Sequence, residues 1–260
     1  MLLSGAQDVP ISCGRGRTAI LDTPDDLQVT FTDGSVKGYD LVVGADGVHS
    51  TVRELVFGNS AARAIGTFAW RFLAASRPEP PVWSLRLGRG SAVLTIPVGE
   101  ELVYCYCDAQ VAGSSRSLRE VLAHFADPVP ALLDRVQDSG ADDAVHGGRL
   151  MEVDLPSWSR GTTVLVGDAA HATSPNMAQG AAMAIDDGIG LGESLARSPS
   201  LAAALDTYER RRRPRTDWVL SQTRQRERLR RVLPRMRNAV LRRRGRRTFI
   251  GHHELLRQRP

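Results

Sequence analysis

The sequence predicts an α/β fold that carries an added antiparallel sheet, and three observations predict it. Two continuous apolar strands, residues 39–45 and 163–167, each end beside a glycine and an aspartate and lead into a helix, the layout of an open sheet buried on both faces. Between them, residues 64–154 have another texture, with short strands separated by glycine-rich turns. No apolar run approaches the roughly 18 residues that cross a bilayer, which excludes a conventional membrane span.

The elements follow in chain order. Residues 9–12, 18–21 and 27–31 read as short strands, and Thr32-Asp33-Gly34-Ser35 as a hairpin turn. A short helix over 50–57 follows the first buried strand. Segments 67–74, 83–87, 92–98 and 102–107 alternate like strands of an antiparallel sheet. Helices are expected over 118–125 and 131–136, separated by Asp127-Pro128-Val129-Pro130. After the second buried strand, a loop over 169–176 leads to a small-residue helix over 179–196. Further helices are expected over 201–213, 222–232 and 234–243.

At 260 residues, 42% hydrophobic and 24% charged, the chain has material for one large domain or two small ones, with a core that needs no staple. The three cysteines, Cys13, Cys105 and Cys107, match neither a redox pair nor a usual zinc spacing and read as reduced. The opening Met1-Leu2-Leu3-Ser4-Gly5-Ala6 lacks the features of a secretory signal, so a cytoplasmic location is expected. The net charge of +5 hides an asymmetry. Residues 210–260 hold 19 of the 34 basic residues and three of the 29 acidic ones, a balance of +16 against −11 for the rest. Such a segment can bind phosphates of nucleic acid or an anionic membrane. With only Trp218 and Phe249 interleaved, it reads instead as a solvated helical cap that salt-bridges to the acidic body, with no specific nucleic-acid partner.

The second Gly-Asp turn carries the most chemistry. Gly167-Asp168 puts one carboxylate at the carboxyl edge of a sheet, where open α/β folds bind ligands. Small residues beyond it allow close backbone approach, and Gln179-Gly180-Ala181-Ala182 opens a helix whose free N–H groups suit an electron-rich acceptor. This describes a nucleotide or flavin site; a strand end with a helix-capping aspartate is the alternative. His171 lies in the same stretch, as a loop-orienting side chain rather than a general base.

The run Gly167-Asp168-Ala169-Ala170-His171-Ala172-Thr173-Ser174-Pro175-Asn176-Met177-Ala178-Gln179-Gly180 resembles the flavin-proximal motif of FAD-dependent aromatic hydroxylases, the group of p-hydroxybenzoate hydroxylase, salicylate hydroxylase and zeaxanthin epoxidase. Asp40-Leu41-Val42-Val43-Gly44-Ala45-Asp46-Gly47-Val48-His49-Ser50-Thr51-Val52-Arg53 resembles that family's Asp-Gly motif, and Tyr208-Glu209-Arg210-Arg211-Arg212-Arg213-Pro214-Arg215 its C-terminal helix pattern. The resemblance implies that Asp168 accepts from the ribityl chain of FAD and that Pro175 lies near the reactive edge of the isoalloxazine. The backbone of Gly180, Ala181 and Ala182 would face the pyrimidine side, and Asp46 would hold the pyrophosphate region. It thus assigns cofactor contact to Asp46, Gly47, Gly167, Asp168, Pro175, Gly180, Ala181 and Ala182, and assigns no catalytic side chain and no metal ligand. Ala178 stands where many members have Gly, and Ala182 where many have Asn.

The family opens with a βαβ unit whose Gly-x-Gly-x-x-Gly loop holds the FAD diphosphate. This sequence contains no such loop; Gly14-Arg15-Gly16 reads as a turn. The expected fold is therefore an FAD-binding monooxygenase-like fold with an antiparallel substrate sheet, incomplete at the N-terminus, with an open strand edge. Either the chain is truncated or another chain, a homodimer partner included, completes it. Residues 1–63 and 155–209 are expected to form the remaining FAD-binding domain, 64–154 the substrate-binding sheet, and 210–260 an arginine-rich helical segment. On position alone, Trp70-Arg71-Phe72 and Leu94-Thr95-Ile96-Pro97 are the candidate substrate wall, with ordinary sheet packing as the alternative. The implied activity is an FAD-dependent, NAD(P)H-using monooxygenase that inserts oxygen from O₂ into an aromatic or olefinic small molecule. The alternatives are an inactive remnant, an arginine-rich binding protein or a related flavin reductase. A flavin halogenase is disfavoured because Trp-x-Trp-x-Ile is absent.

Overall fold

A computed structural model of the protein describes residues 8–23, 26–58, 62–77, 80–110, 117–136 and 144–256. Its strands are β1 (Arg17–Asp22), β2 (Leu27–Phe31), β3 (Val36–Tyr39), β4 (Val42–Gly44), β5 (Arg63–Ala75), β6 (Ser84–Leu87), β7 (Ser91–Pro97), β8 (Leu102–Gln110), β9 (Val145–Glu152), β10 (Ser159–Arg160) and β11 (Thr163–Leu165). Its helices are α1 (Thr51–Phe57), α2 (Leu118–Leu122), α3 (Asp168–His171), α4 (Gly180–Arg197), α5 (Leu201–Arg231) and α6 (Pro234–Leu256), with 3₁₀ turns over Pro130–Arg135 and Pro175–Met177. The chain divides into two compact units: 1–62 with 153–172 and 180–214, and 63–152 with 173–179 and 215–260.

The first unit holds two small sheets. Antiparallel β1, β2 and β3 form one, and the turn between β2 and β3 is tightened by Asp33, whose Oδ1 accepts from Ser35 N–H at 3.0 Å. In the other, β4 runs parallel to β11, and β10 pairs with β11 on its far side. The apolar run 39–45 is therefore not one strand. It breaks at Asp40-Leu41, because its first part completes the hairpin sheet with β2 and its second part pairs with β11. Residues 9–12 form no strand: Val9 and Ile11 are exposed, and β1 is paired by β2 alone. Met1 to Ala6 lie outside the described residues. The core gathers Val52, Trp158, Val164, Leu165, Leu191 and Tyr208.

The second unit is built on a five-stranded antiparallel sheet in the order β6-β7-β8-β5-β9. Alternation along the strands sends Phe72, Val93, Cys105, Cys107 and Ala109 to one face, where α2 and the Pro130–Arg135 turn cover them. Burial pushes the thiols of Cys105 and Cys107 up to about 12, so both are inert core residues, whereas Cys13 is exposed. Strand β9 escapes a reading of the sequence because Gly147-Gly148 interrupts it. Gly147 is required there: a Cβ would come within 3.0 Å of the Phe68 ring, which itself packs 4.8 Å from Trp70. Helix α2 starts with a capping box between Ser117 and Glu120 and stops at Leu122, short of the expected 125.

Helix α5 also departs from expectation. It runs through Pro214 for 31 residues instead of stopping before it. Arginine ion pairs on both sides of the proline, Arg213 to Glu209 and Arg224 to Glu152, hold the helix where its hydrogen-bond ladder lacks a donor.

Glycine at position 44 lets β4 sit against its neighbours. A Cβ there would stand 2.6 Å from Leu165 Cδ2 and 2.9 Å from the Val52 side chain. Gly44→Ala is expected to cost about 1–3 kcal/mol through overpacking, read as a lowered urea midpoint with unchanged slope.

Candidate functional site

The two Gly-Asp turns lie at the carboxyl ends of adjacent parallel strands, with Val166 N–H donating to Gly44 C=O at 3.0 Å. The two motifs are further joined by Arg53, buried on α1, which donates to Ala169 C=O at 2.9 Å and Val48 C=O at 2.7 Å. That is the region in which an open sheet receives a ligand.

Gly167 adopts φ 58°, a left-handed conformation, and a Cβ there would meet Ala184 at 3.0 Å, so both backbone and space call for glycine. The turn is held from below by Asp187 of α4. Its Oδ2 accepts from Gly167 N–H at 2.8 Å and from His171 Nε2–H at 2.6 Å, while its Oδ1 accepts from Arg212 Nε–H at 2.8 Å. Burial alone would raise the Asp187 pKa, but the His171 and Arg212 partners and the Gly167 N–H hold it below the usual carboxylate range. His171 packs 5.0 Å from the Trp158 ring, and Tyr208 donates to Leu165 C=O at 3.2 Å. His171 thus orients the loop. Neither Asp187 nor Arg212 was a sequence candidate; the one signal was two adjacent aspartates, Asp186-Asp187, inside an otherwise small and apolar helix.

The clamp leaves Asp168 outward. Its side chain is exposed and has no hydrogen-bond partner among the described residues. Its Oδ1 lies 3.8 Å from where a Cβ on Gly180 would stand, so the carboxylate faces the first turn of the 18-residue helix α4. Gly180 is half-buried, Ala181 and Ala182 are exposed, and the first-turn N–H groups of a helix have no intrahelical acceptor. The structure therefore brings Gly167, Asp168, Gly180, Ala181 and Ala182 together.

Asp46 is differently employed. Its Oδ2 accepts from Thr51 N–H at 2.8 Å and Val52 N–H at 3.2 Å, its Oδ1 from Ser50 Oγ–H at 2.5 Å, and Arg17 pairs with it. It caps α1, and Gly47 beside it turns the chain at φ 81°. Pro175 belongs to the second unit. There Asn176 donates to Glu227 Oε1 at 2.9 Å, Ser174 Oγ–H reaches the same oxygen at 3.2 Å, and Arg226 donates to Asn176 C=O at 2.7 Å. Ala178 ends this turn at φ 53°, the one non-glycine residue in the left-handed region among the described residues.

In the sheet of the second unit, Trp70 and Phe72 face the helix-covered core. Leu94, Tyr104 and Tyr106 share the opposite face, with Arg71 stacked 5.9 Å from the Tyr106 ring. Beside them the buried Asp108 accepts from Arg230 at 2.7 Å; burial raises its pKa and Arg230 opposes the rise. Among the described residues no group of His, Cys, Asp and Glu could hold a metal ion, and no helix is long and apolar enough to cross a membrane.

Residues 38–223 match the model of a family described as FAD binding domain. The chain belongs to that family. As an FAD-binding-domain protein, it is 34% identical over 236 residues to 2-heptyl-3-hydroxy-4(1H)-quinolone synthase of Pseudomonas aeruginosa, covering 85% of this chain and 60% of that one. It is 33% identical to 6-hydroxynicotinate 3-monooxygenase of Pseudomonas fluorescens, with 84% and 61% covered. The crystal structure of Klebsiella pneumoniae HpxO complexed with FAD and uric acid superposes with TM-score 0.75 at 27% identity, over 87% of this chain and 61% of that one. The chain spans about 60% of the length of these curated relatives. FAD is the family's cofactor, and the residues present fit its ribityl and isoalloxazine portion: an unpartnered carboxylate beside a glycine-lined, exposed helix N-terminus.

Two outcomes follow from this geometry. Replacing Asp187 by Asn removes the nearer of the buried Arg212's two acidic partners, leaving Asp186 at 3.8 Å, and is expected to cost about 3–5 kcal/mol. Because the Asp187 pKa is depressed on folding, its stabilisation is present above the unfolded-chain pKa near 3.8 and is lost as pH falls through the lower folded value. The wild-type minus D187N difference in unfolding free energy therefore shrinks in acid. Ala178→Gly relieves a left-handed alanine and is expected to stabilise by about 0.5–1 kcal/mol, seen as a raised melting temperature.

Proposed function

We propose that this chain carries the flavin and substrate elements of an FAD-dependent monooxygenase that uses NAD(P)H and O₂ to hydroxylate an aromatic small molecule. The observation that carries the reading is the Gly167-Asp168 turn, locked by Asp187 and presenting a free carboxylate to the start of α4. FAD, when bound, supplies the redox chemistry and the activation of O₂.

The chain's own part is to bind, orient and exclude water. Asp168 accepts from the ribityl hydroxyls, and Gly167 lets the backbone approach closely. The N–H groups of Gly180, Ala181 and Ala182 face the electron-rich pyrimidine edge, where the helix dipole favours negative charge. The resemblance would assign Pro175 to the reactive edge of a bound isoalloxazine; within the second unit its segment is held by Glu227 and Arg226 through Asn176. The Asp46 carboxylate is occupied by Arg17, Ser50 and the start of α1. What its turn offers a diphosphate is therefore the backbone of Gly47 and the α1 N-terminus. The substrate face is the one bearing Leu94, Tyr104, Tyr106 and Arg71, in place of Trp70 and Phe72. The buried Tyr106 hydroxyl interacts with the Asp108 carboxylate, and this polar cluster is the part of the face suited to a polar ring substituent. The names of the relatives, a hydroxyquinolone synthase, a hydroxynicotinate monooxygenase and a urate hydroxylase, favour an aromatic ring over an olefin. The buried, inert Cys105 and Cys107 accord with a cytoplasmic setting.

A second reading rests on the partial span of the relatives: a flavin site that fills only together with diphosphate contacts from outside these 260 residues. Titrating FAD into the purified chain, followed by flavin fluorescence, separates the two. Saturable micromolar binding, weakened about tenfold or more in Asp168→Ala, is expected on the loss of charged hydrogen bonds. Equal binding by both proteins would sink the assignment of Asp168. Wild-type binding only after a diphosphate-binding segment is added would favour the second reading.

A further inference from the structure

The arginines of residues 210–260 fall into two groups. Most of those described on α5 are engaged: Arg211 with Glu193, Arg212 with Asp187, Arg213 with Glu209, Arg224 with Glu152, and Arg230 with Asp108. On α6 the pattern changes. Arg237 is buried and anchors the helix to the second unit's sheet, donating to Gly88 C=O at 2.7 Å and Leu87 C=O at 2.8 Å. Arg235, Arg242, Arg243 and Arg244 are exposed and have no ion pair or hydrogen bond among the described residues. No acidic residue lies between Glu227 and Glu254 to offset them. The salt-bridged cap expected of this segment thus holds for α5 and not for α6.

The same helix exposes apolar side chains. Met236 and Val240, 61% and 50% exposed, lie four residues apart on one face of it, and Leu233, 59% exposed, directly precedes its first residue. Arg243 continues that face one turn on, and Arg235 and Arg242 flank it. The edge strand β6, whose last residue receives Arg237, is preceded by Trp83, 69% exposed. A solvated cationic helix has no use for these uncovered apolar residues. Phosphates of a nucleic acid would neutralise the arginines and leave them wet. A bilayer surface that is both anionic and apolar just below its headgroups accommodates both.

We propose that α6, with Leu233 just before it, is a peripheral docking face for anionic lipid membranes, on which Met236 and Val240, beside Leu233, enter the headgroup boundary while Arg235, Arg242, Arg243 and Arg244 pair with lipid phosphates. Helix α6 lies on the surface and does not span it, in keeping with the lack of an apolar spanning helix among the described residues.

The experiment is flotation of the full 260-residue chain with vesicles of equal parts phosphatidylglycerol and phosphatidylcholine, and with vesicles of phosphatidylcholine alone. Binding to the first and not the second is expected. The double variant Met236→Ser, Val240→Ser should weaken vesicle binding about tenfold through lost apolar burial, while its retention on heparin stays unchanged. The triple variant Arg242→Gln, Arg243→Gln, Arg244→Gln should weaken vesicle binding on the order of a hundredfold, given the attraction of each basic residue to an anionic surface. All five substitutions are at exposed positions, and unchanged melting curves confirm that the variants fold. Failure to prefer anionic vesicles would overturn the proposal. So would a serine variant that binds them as tightly as wild type, or retention on duplex RNA without vesicle binding.

Discussion

A single carboxylate with no exposed surface, Asp187, holds the first unit's ligand-facing edge in place. Taking that charge out of water costs several kcal/mol, and the cost is offset only because three donors converge on it from different parts of the chain. Gly167 contributes a backbone N–H from the turn after β11, His171 an imidazole from α3, and Arg212 a guanidinium from α5. Each of these elements is short, curved or polar and would be poorly fixed by apolar packing alone. Bonded to one point, they acquire a common geometry, and Asp168 is left facing outward beside Gly180. The carboxylate's lowered pKa is the energetic mark of that convergence.

The second unit uses the same device with different chemistry. Its sheet separates an apolar, helix-covered face from a face bearing tyrosines, Arg71 and the Asp108–Arg230 pair. Glu227 receives both Ser174 and Asn176, and lies 3.6 Å from Arg230 on the same helix. The loop that bears Pro175 is therefore fixed by polar contacts to α5, and the left-handed Ala178 is tolerated at its end. In both units arginines of α5 are structural ligands for buried acids, which is why a segment so basic in sequence is largely neutralised along its first helix.

What the sequence made legible were features with local causes. The two Gly-Asp turns stood out because apolar runs stop abruptly there, and the hairpin after β2 because Asp-Gly demands it. The strands of the larger sheet showed through their alternation. Features with distant causes were invisible. The run 39–45 looked like one strand because nothing in it reveals that its halves pair with different partners. Strand β9 was hidden by Gly147-Gly148, of which Gly147 makes room for Phe68 and Trp70. Pro214 looked like a stop because the ion pairs that carry α5 through it come from acids elsewhere, Glu152 among them. Asp187 and Arg212 are 25 residues apart on separate helices and share no sequence spacing that would couple them. Asp46 shows the converse. Its motif was read for a ligand role, and the geometry adds contacts the sequence did not reveal, its carboxylate accepting from the first N–H groups of α1 behind the N-cap Ser50.

The distribution of thiols has a practical consequence. The chain has three cysteines, and two of them sit on the inner face of β8 with no accessible surface. Cys13 alone meets solvent, in the first unit just before β1. The wild-type protein thus comes with a single-site attachment point for a maleimide dye or spin label, with no cysteine to engineer in or out. A probe placed there reports from the unit that bears the Gly167-Asp168 turn while leaving the tyrosine-bearing sheet untouched.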